Sequence, residues 1–117
     1  MRYVDGFLLP VPKKNVSAYL RMSRKFGRII REYGALEYRE CVGDDLKTKM
    51  GIPFPRAARA RRGEAVVFSW IVYRSRAHRD RVLAKMKADP RLDMNGQPMP
   101  FDPKRMAYGG FAIGVDL

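Results

Sequence analysis

The chain has 117 residues, 46% of them apolar, and sets 24 lysines and arginines against 12 aspartates and glutamates for a formal charge of +12. That length supports one core rather than two, so a single domain over residues 1–117 is expected. The lone cysteine, Cys41, excludes an intrachain disulfide and fits a cytoplasmic setting, and no run approaches the roughly 18 apolar residues of a membrane span.

The first apolar residues are interrupted by Asp5, Pro10 and Pro12 and do not read as a signal peptide. They alternate instead as a strand from Tyr3 to Val11, with Tyr3, Asp5, Phe7 and Leu9 on one face and Val4 and Leu8 on the other. Pro10 and Pro12, lacking an N–H, are expected to end its ladder. Asn15 is placed to cap a helix that runs to about Tyr33 and stops at Gly34. Its inward stripe is Val16, Tyr19, Leu20, Ser23, Phe26, Ile30 and Tyr33. Arg21, Arg24, Lys25, Arg28 and Arg31 lie mostly off that stripe and repel one another, so packing must hold this helix.

Ala35 to Val42 form a second strand, with Leu36, Tyr38, Glu40 and Val42 on one side and Glu37, Arg39 and Cys41 on the other. The connection from Gly43 to Gly63 holds Pro53, Pro55 and a basic run; its length suggests a functional flap or a mobile segment. Glu64 to Arg74, the most apolar stretch, reads as a central strand covered on both sides. Ser75 caps a second helix that runs to about Ala88, with Val82, Leu83 and Met86 inward and Asp89-Pro90 as its stop. A Pro/Gly-rich connection then leads to a last strand near Arg105 to Val115. There Gly109-Gly110 suggests a bulge or the close approach of other backbone.

Two βαβ units in series, joined by right-handed crossovers, make an α+β, ferredoxin-like βαββαβ antiparallel sheet with both helices on one face. Large apolar residues occur at both strand parities, Phe7, Phe68, Trp70, Tyr108 and Phe111 among them. A bare face of that kind needs a cover, and a second copy across a two-fold axis is the simplest one. The expected assembly is therefore a homodimer joined sheet to sheet.

Several blocks carry a resemblance. Tyr3-Val4-Asp5-Gly6-Phe7, Glu40-Cys41-Val42-Gly43-Asp44-Asp45, Val66-Val67-Phe68-Ser69-Trp70-Ile71 and Lys104-Arg105-Met106-Ala107-Tyr108-Gly109-Gly110-Phe111 resemble the YbaA-like family of small bacterial proteins. Ser75-Arg76-Ala77-His78-Arg79-Asp80 and Ala88-Asp89-Pro90-Arg91 fit the same family, so the resemblance spans nearly the whole chain. It implies a member of the dimeric α/β barrel superfamily, in a family of unknown function without established catalytic residues.

Candidate chemistry rests on a few side chains. Asp5 and Glu40 fall in apolar strands, with Asp44 nearby, and a carboxylate there needs a partner. It lines a pocket as a proton acceptor, pairs with Arg39, Arg74 or Arg105, or lies exposed at a strand end. Trp70, Tyr108 and His78 join Asp5 and Glu40 as ligand-binding candidates for a cavity at the sheet, whose expected occupant is a small, partly apolar molecule. His78 also reads as a packing residue near the start of the second helix, Trp70 as core, and Cys41 as a buried structural thiol. One histidine and one cysteine are too few for a metal centre, and no cofactor motif is present.

Two alternatives stand beside ligand binding. The superfamily resemblance points to a cofactor-independent or haem-degrading type of monooxygenase, or an isomerase. The haem-degrading members place a tryptophan on the third strand and a histidine in the next helix, as Trp70 and His78 stand here, and an asparagine where this chain has Asp5. The charge points to a basic nucleic-acid-interacting protein, with Arg56, Arg59, Arg61 and Arg62 as polyanion-binding candidates whose grip would fall with salt. RNA-recognition modules share the element order, but Glu64, Val66 and Ser69 stand where their stacking aromatics belong.

Overall fold

In a computed structural model describing residues 1–117, strand β1 (Tyr3–Pro12) leads through a 3₁₀ turn into helix α1 (Val16–Glu32), then β2 (Glu37–Val42). A short helix α2 (Phe54–Ala57) interrupts the long connection to β3 (Glu64–Tyr73). Helix α3 (Arg76–Lys87) and two further 3₁₀ turns precede β4 (Ala107–Ala112). The sheet order is β2-β3-β1-β4 with every neighbouring pair antiparallel. This is the ferredoxin-like arrangement that the element order requires, because each crossover skips one strand.

Register divides the side chains cleanly. Asp5 stands opposite Ile71 and Gly110, Phe7 opposite Ser69 and Tyr108, and Tyr38 opposite Ile71, all on the helix side. Val4, Leu8, Phe68, Trp70, Val72 and Phe111 point the other way. Under α1 and α3 lies a core of two clusters: Ile29, Ile30, Ile71, Tyr73, Val82 and Met86 in one, Leu9, Val11, Tyr19 and Val67 in the other. Each such side chain contributes about 1.5–3 kcal/mol on burial, more than enough to offset the repulsion along the arginine stripe of α1.

Several expectations need correction. Pro10 and Pro12 do not end β1, because they pair in register with Val66 and Glu64. Lys13 donates to the carbonyl of Gly63, so alternation turns the Pro10 and Pro12 nitrogens away from β3. On that side β4 has already ended, at Ala107 opposite Leu8, and no ladder bond is lost. β3 is not covered on both sides: Phe68 is 44% exposed on the open face. Cys41 shares that face, opposite Phe68, and is exposed rather than buried. Asn15 occupies the N-cap position of α1 but leaves the helix N–H groups alone, its amide donating instead to the carbonyl of Pro100 at 3.1 Å. The Gly109-Gly110 pair makes no bulge. A Cβ on Gly110 would run into the ring of Tyr3, a side chain rather than backbone. Gly34, at φ +116, ends α1 as the sequence predicts.

Candidate functional site

Between the two core clusters the helix side of the sheet is not filled. Ser23 of α1 and Ser69 of β3, both small, help line a half-open cavity of about 350 Å³ with Phe7, Tyr19, Phe26 and Ile71. Its outer wall is the connection between α3 and β4, which lends Leu92, Met94, Met99, Phe101 and Met106. That wall is pinned at three places. Arg91 binds Asp89 and Glu32, the Asn15 amide holds Pro100, and Arg105 forms a two-nitrogen contact with Glu64 at 2.6 and 2.9 Å. The Arg105 hydrogen bonds, helped by the backbone N–H of Arg61, hold the Glu64 carboxyl down at about 2.

Two carboxylates line this space: Asp93, exposed on the outer wall, and the half-buried Glu40. Glu40 accepts from the Tyr19 hydroxyl on Oε1 at 2.7 Å and from the Tyr38 hydroxyl on Oε2 at 2.5 Å. It forms no ion pair. Burial, reinforced by the neighbouring Glu40 charge, pushes both phenols well above the usual tyrosine range, so they keep their protons and act as donors. Tyr38 reaches Glu40 because both stand on the inward face of β2, and Tyr19 because it belongs to the buried stripe of α1. The apolar lining with few convergent polar groups is the usual composition of a small-molecule site.

Asp5 sits elsewhere on the same face. It is 1% exposed, and its nearest cation is Arg79 of α3, with Nε 3.7 Å from Oδ1. Arg79 also lies over the Tyr3 ring at 5.0 Å and donates to the Tyr3 hydroxyl at 3.2 Å. Both Asp5 oxygens, the Tyr73 hydroxyl and Arg79 Nε have no partner in hydrogen-bond geometry. Burial therefore pushes the Asp5 carboxyl up, against the pull of the Arg79 charge. Arg79, and not Arg39, Arg74 or Arg105, is the partner of Asp5, and Glu40 has phenols in place of a salt bridge. Tyr108 stacks on Phe7 at 4.9 Å, half exposed beside the Asp5 group.

The remaining candidates are dispersed. Trp70 lies on the open face, where its indole N–H donates to Glu37 at 2.9 Å. His78, buried in the first turn of α3, accepts the Arg74 N–H on Nδ1 at 3.0 Å and meets Tyr73 edge-on. Burial and the charges of Arg74, Arg81 and Lys85 push its pKa down. Tyr73 is a helix-side residue, so the sheet separates His78 from Trp70 and the pair does not line one pocket. Arg56, Arg59, Arg61 and Arg62 are exposed around the end of α2 and the turn into β3. A wider, open groove of about 910 Å³ beside α1 and β2 carries Arg24, Arg28, Arg31 and Arg39. Tyr19, Tyr38 and the wall after α3 are site residues that sequence reasoning misses. The alternation of β2 holds the signal for Tyr38; nothing periodic marks the wall.

Known proteins agree with this architecture. The family model described as "Protein of unknown function (DUF1428)" matches residues 2–103. The chain is 44% identical over 116 residues to the uncharacterized protein YbaA of Escherichia coli (strain K12), covering 99% of each. Its fold is similar to a dimeric ferredoxin-like protein from an uncultured marine organism, with TM-score 0.56, 9% identity and all of both chains covered. It is likewise similar to a candidate antibiotic-biosynthesis monooxygenase from Bacillus cereus, with TM-score 0.54, 13% identity, and 100% of this chain and 95% of that one covered. Identities that low show the fold alone. The resemblance read from the strand blocks is borne out, and the chain belongs to the DUF1428 family of proteins of unknown function.

Proposed function

We propose that this protein is a homodimeric small-molecule binder whose ligand sits in the cavity between α1 and the sheet. The half-open, methionine- and phenylalanine-lined space with its polar floor carries the reading. Such a space accepts a mostly apolar body and orients it by a single polar contact. The dimer follows from the open face, where Phe68 and Phe111 are 44% and 61% exposed around half-buried Trp70. Sheet-to-sheet packing with a second copy would bury that surface.

Native mass spectrometry of the purified protein tests both halves. The expected result is a dimer retaining a small molecule, and Met22→Trp, which fills the cavity from α1, releases the molecule but not the partner. Phe68→Asp gives monomers. A wild-type monomer at micromolar concentration would defeat the assembly, and a molecule retained unchanged by Met22→Trp would defeat the cavity.

One observation supports a second reading. Phe68 and Trp70 lie side by side at 5.6 Å on the open face of a chain of charge +12. Bases could stack there if the face stayed free, with Arg56, Arg59, Arg61 and Arg62 holding phosphates. Binding of single-stranded RNA that persists at physiological salt and is lost in Phe68→Asp would favour it over the dimer.

A further inference from the structure

We infer that the cavity selects a small molecule with an apolar body and a protonated amine, and that Glu40 is the ion partner of that amine. The inference deepens the binding reading above and rests on it. The first ground is a proton count at the polar floor. Tyr19 and Tyr38 each spend their hydroxyl hydrogen on Glu40, so what that group still offers a ligand is lone pairs: further sites on both carboxylate oxygens and those of the phenol oxygens. Ser23 and Ser69 are the neutral donors left in the lining, and their hydroxyls can also turn to accept. A ligand head that donates is matched; one that only accepts is not.

The second ground is charge. Arginine is abundant here, and six of the twelve carboxylates pair with it: Asp5 and Asp80 with Arg79, Glu64 with Arg105, Glu32 and Asp89 with Arg91, and Asp116 with Arg2. Glu40 has no ion pair, although it also lines the open groove that carries Arg24, Arg28, Arg31 and Arg39. On its cavity side Glu40 faces methionine and phenylalanine side chains, where a carboxylate without a counter-ion is costly, and a ligand ammonium removes that cost. A carboxylate or phosphate ligand would instead set like charges in contact. Lys25, Arg91 and Asp93 line the space too, but all three are exposed, so Lys25 and Asp93 are screened by solvent, and Arg91 is committed to Asp89 and Glu32. The third ground is the lining: Met22, Met94, Met99 and Met106 beside Phe26 and Phe101 adapt to a flat or branched hydrocarbon.

The test is titration calorimetry with matched probes at neutral pH: 2-phenylethylamine, 2-phenylethanol and phenylacetate, repeated with indolyl and isobutyl bodies. Within at least one body the amine is expected to bind about tenfold more tightly than the alcohol, with no heat from the acid. Glu40→Gln, which keeps the shape of the side chain, should bring amine and alcohol within about twofold of each other. Alcohols or acids that bind wild type as tightly as the amines, and are lost in Met22→Trp, would overturn the amine assignment and leave the cavity standing. An amine preference that survives Glu40→Gln would overturn the role of Glu40. If no probe binds wild type, or if binding survives Met22→Trp, the cavity reading falls and this inference with it.

Discussion

Asp5 and Glu40 enter the same side of the same sheet, one from the inner strand β1 and one from the edge strand β2, and they are provided for in opposite ways. Glu40 has a phenol hydroxyl on each oxygen and no cation. Asp5 has a cation at 3.7 Å and no hydrogen bond on either oxygen. The difference follows from what lies overhead. α1 brings a tyrosine over β2, whereas α3 brings a long arginine over β1, held off its carboxylate by stacking on Tyr3. A carboxylate with directed donors and spare lone pairs suits a ligand. One balanced against a buried guanidinium, with burial lifting its pKa, belongs to the stability of the fold.

The largest break in that contrast comes from Arg79→Met. It removes the cation paired with Asp5, and stability at pH 7 should fall by about 3 kcal/mol, read from urea midpoints. Adding Asp5→Asn should restore most of the loss, since the uncompensated charge goes with it. A double variant as unstable as the single would mean that the Arg79 stem and its packing on Tyr3, rather than the ion pair, carry the effect.

Next in size is the same experiment on Glu40. Tyr19→Phe combined with Tyr38→Phe strips both donors from a partly buried carboxylate and should cost about 2 kcal/mol. Glu40→Gln added to that pair should recover part of it. No loss in the double tyrosine variant would mean that the floor of the cavity is wet enough for solvent to replace the phenols.

Much of this geometry is legible in the amino-acid order. The alternation of β2 puts Tyr38 and Glu40 on one face, the helical spacing puts Tyr19 and Ser23 inward, and the succession of elements implies the sheet and its bare side. Other features depend on distant parts of the chain. Arg79 lies 74 positions from Asp5 by subtraction of their sequence numbers, and no local pattern selects it over Arg39, Arg74 or Arg105. Pro10 and Pro12 mislead because their tolerance depends on where β4 ends, a fact about another strand. Cys41 misleads because apolar neighbours imply burial only when something covers them. The cavity wall after α3 is aperiodic, fixed by the contacts of Asn15, Arg91 and Arg105 rather than by a repeating face.

A smaller effect appears in the pH profile. The folded-state pKa of Asp5 lies above its ordinary value of 3.8, so the folded chain takes up that proton more readily than the unfolded one. Its contribution to stability therefore improves as pH falls from neutral towards about 4, and Asp5→Asn should flatten that slope. Glu64 has the opposite sign. Its carboxyl is held at about 2 against an ordinary 4.5, so its contribution is present above 4.5 and lost as pH falls towards 2. Melts across the range should show a turning point near pH 4, and Glu64→Gln should shrink the acid limb without removing it, because Asp89 and Asp116 are also held down, by Arg91 and Arg2.

The smallest expected change discriminates most finely. Tyr73 and Tyr38 both point to the helix side, near Asp5 and Glu40 respectively, and Tyr→Phe deletes one oxygen from each. The Tyr38 hydroxyl donates to a carboxylate; the Tyr73 hydroxyl is fully buried with no partner in hydrogen-bond geometry. Deleting a satisfied donor leaves its acceptor short, while deleting an unsatisfied one removes a group whose desolvation was never offset. Tyr73→Phe should thus lie within about 0.5 kcal/mol of wild type, on either side, where Tyr38→Phe loses about 1–1.5 kcal/mol. Equal losses would show that in solution the Tyr73 oxygen does reach Asp5. The two carboxylates would then be equipped alike, and Glu40 would lose the distinction that marks it as the ligand's anchor.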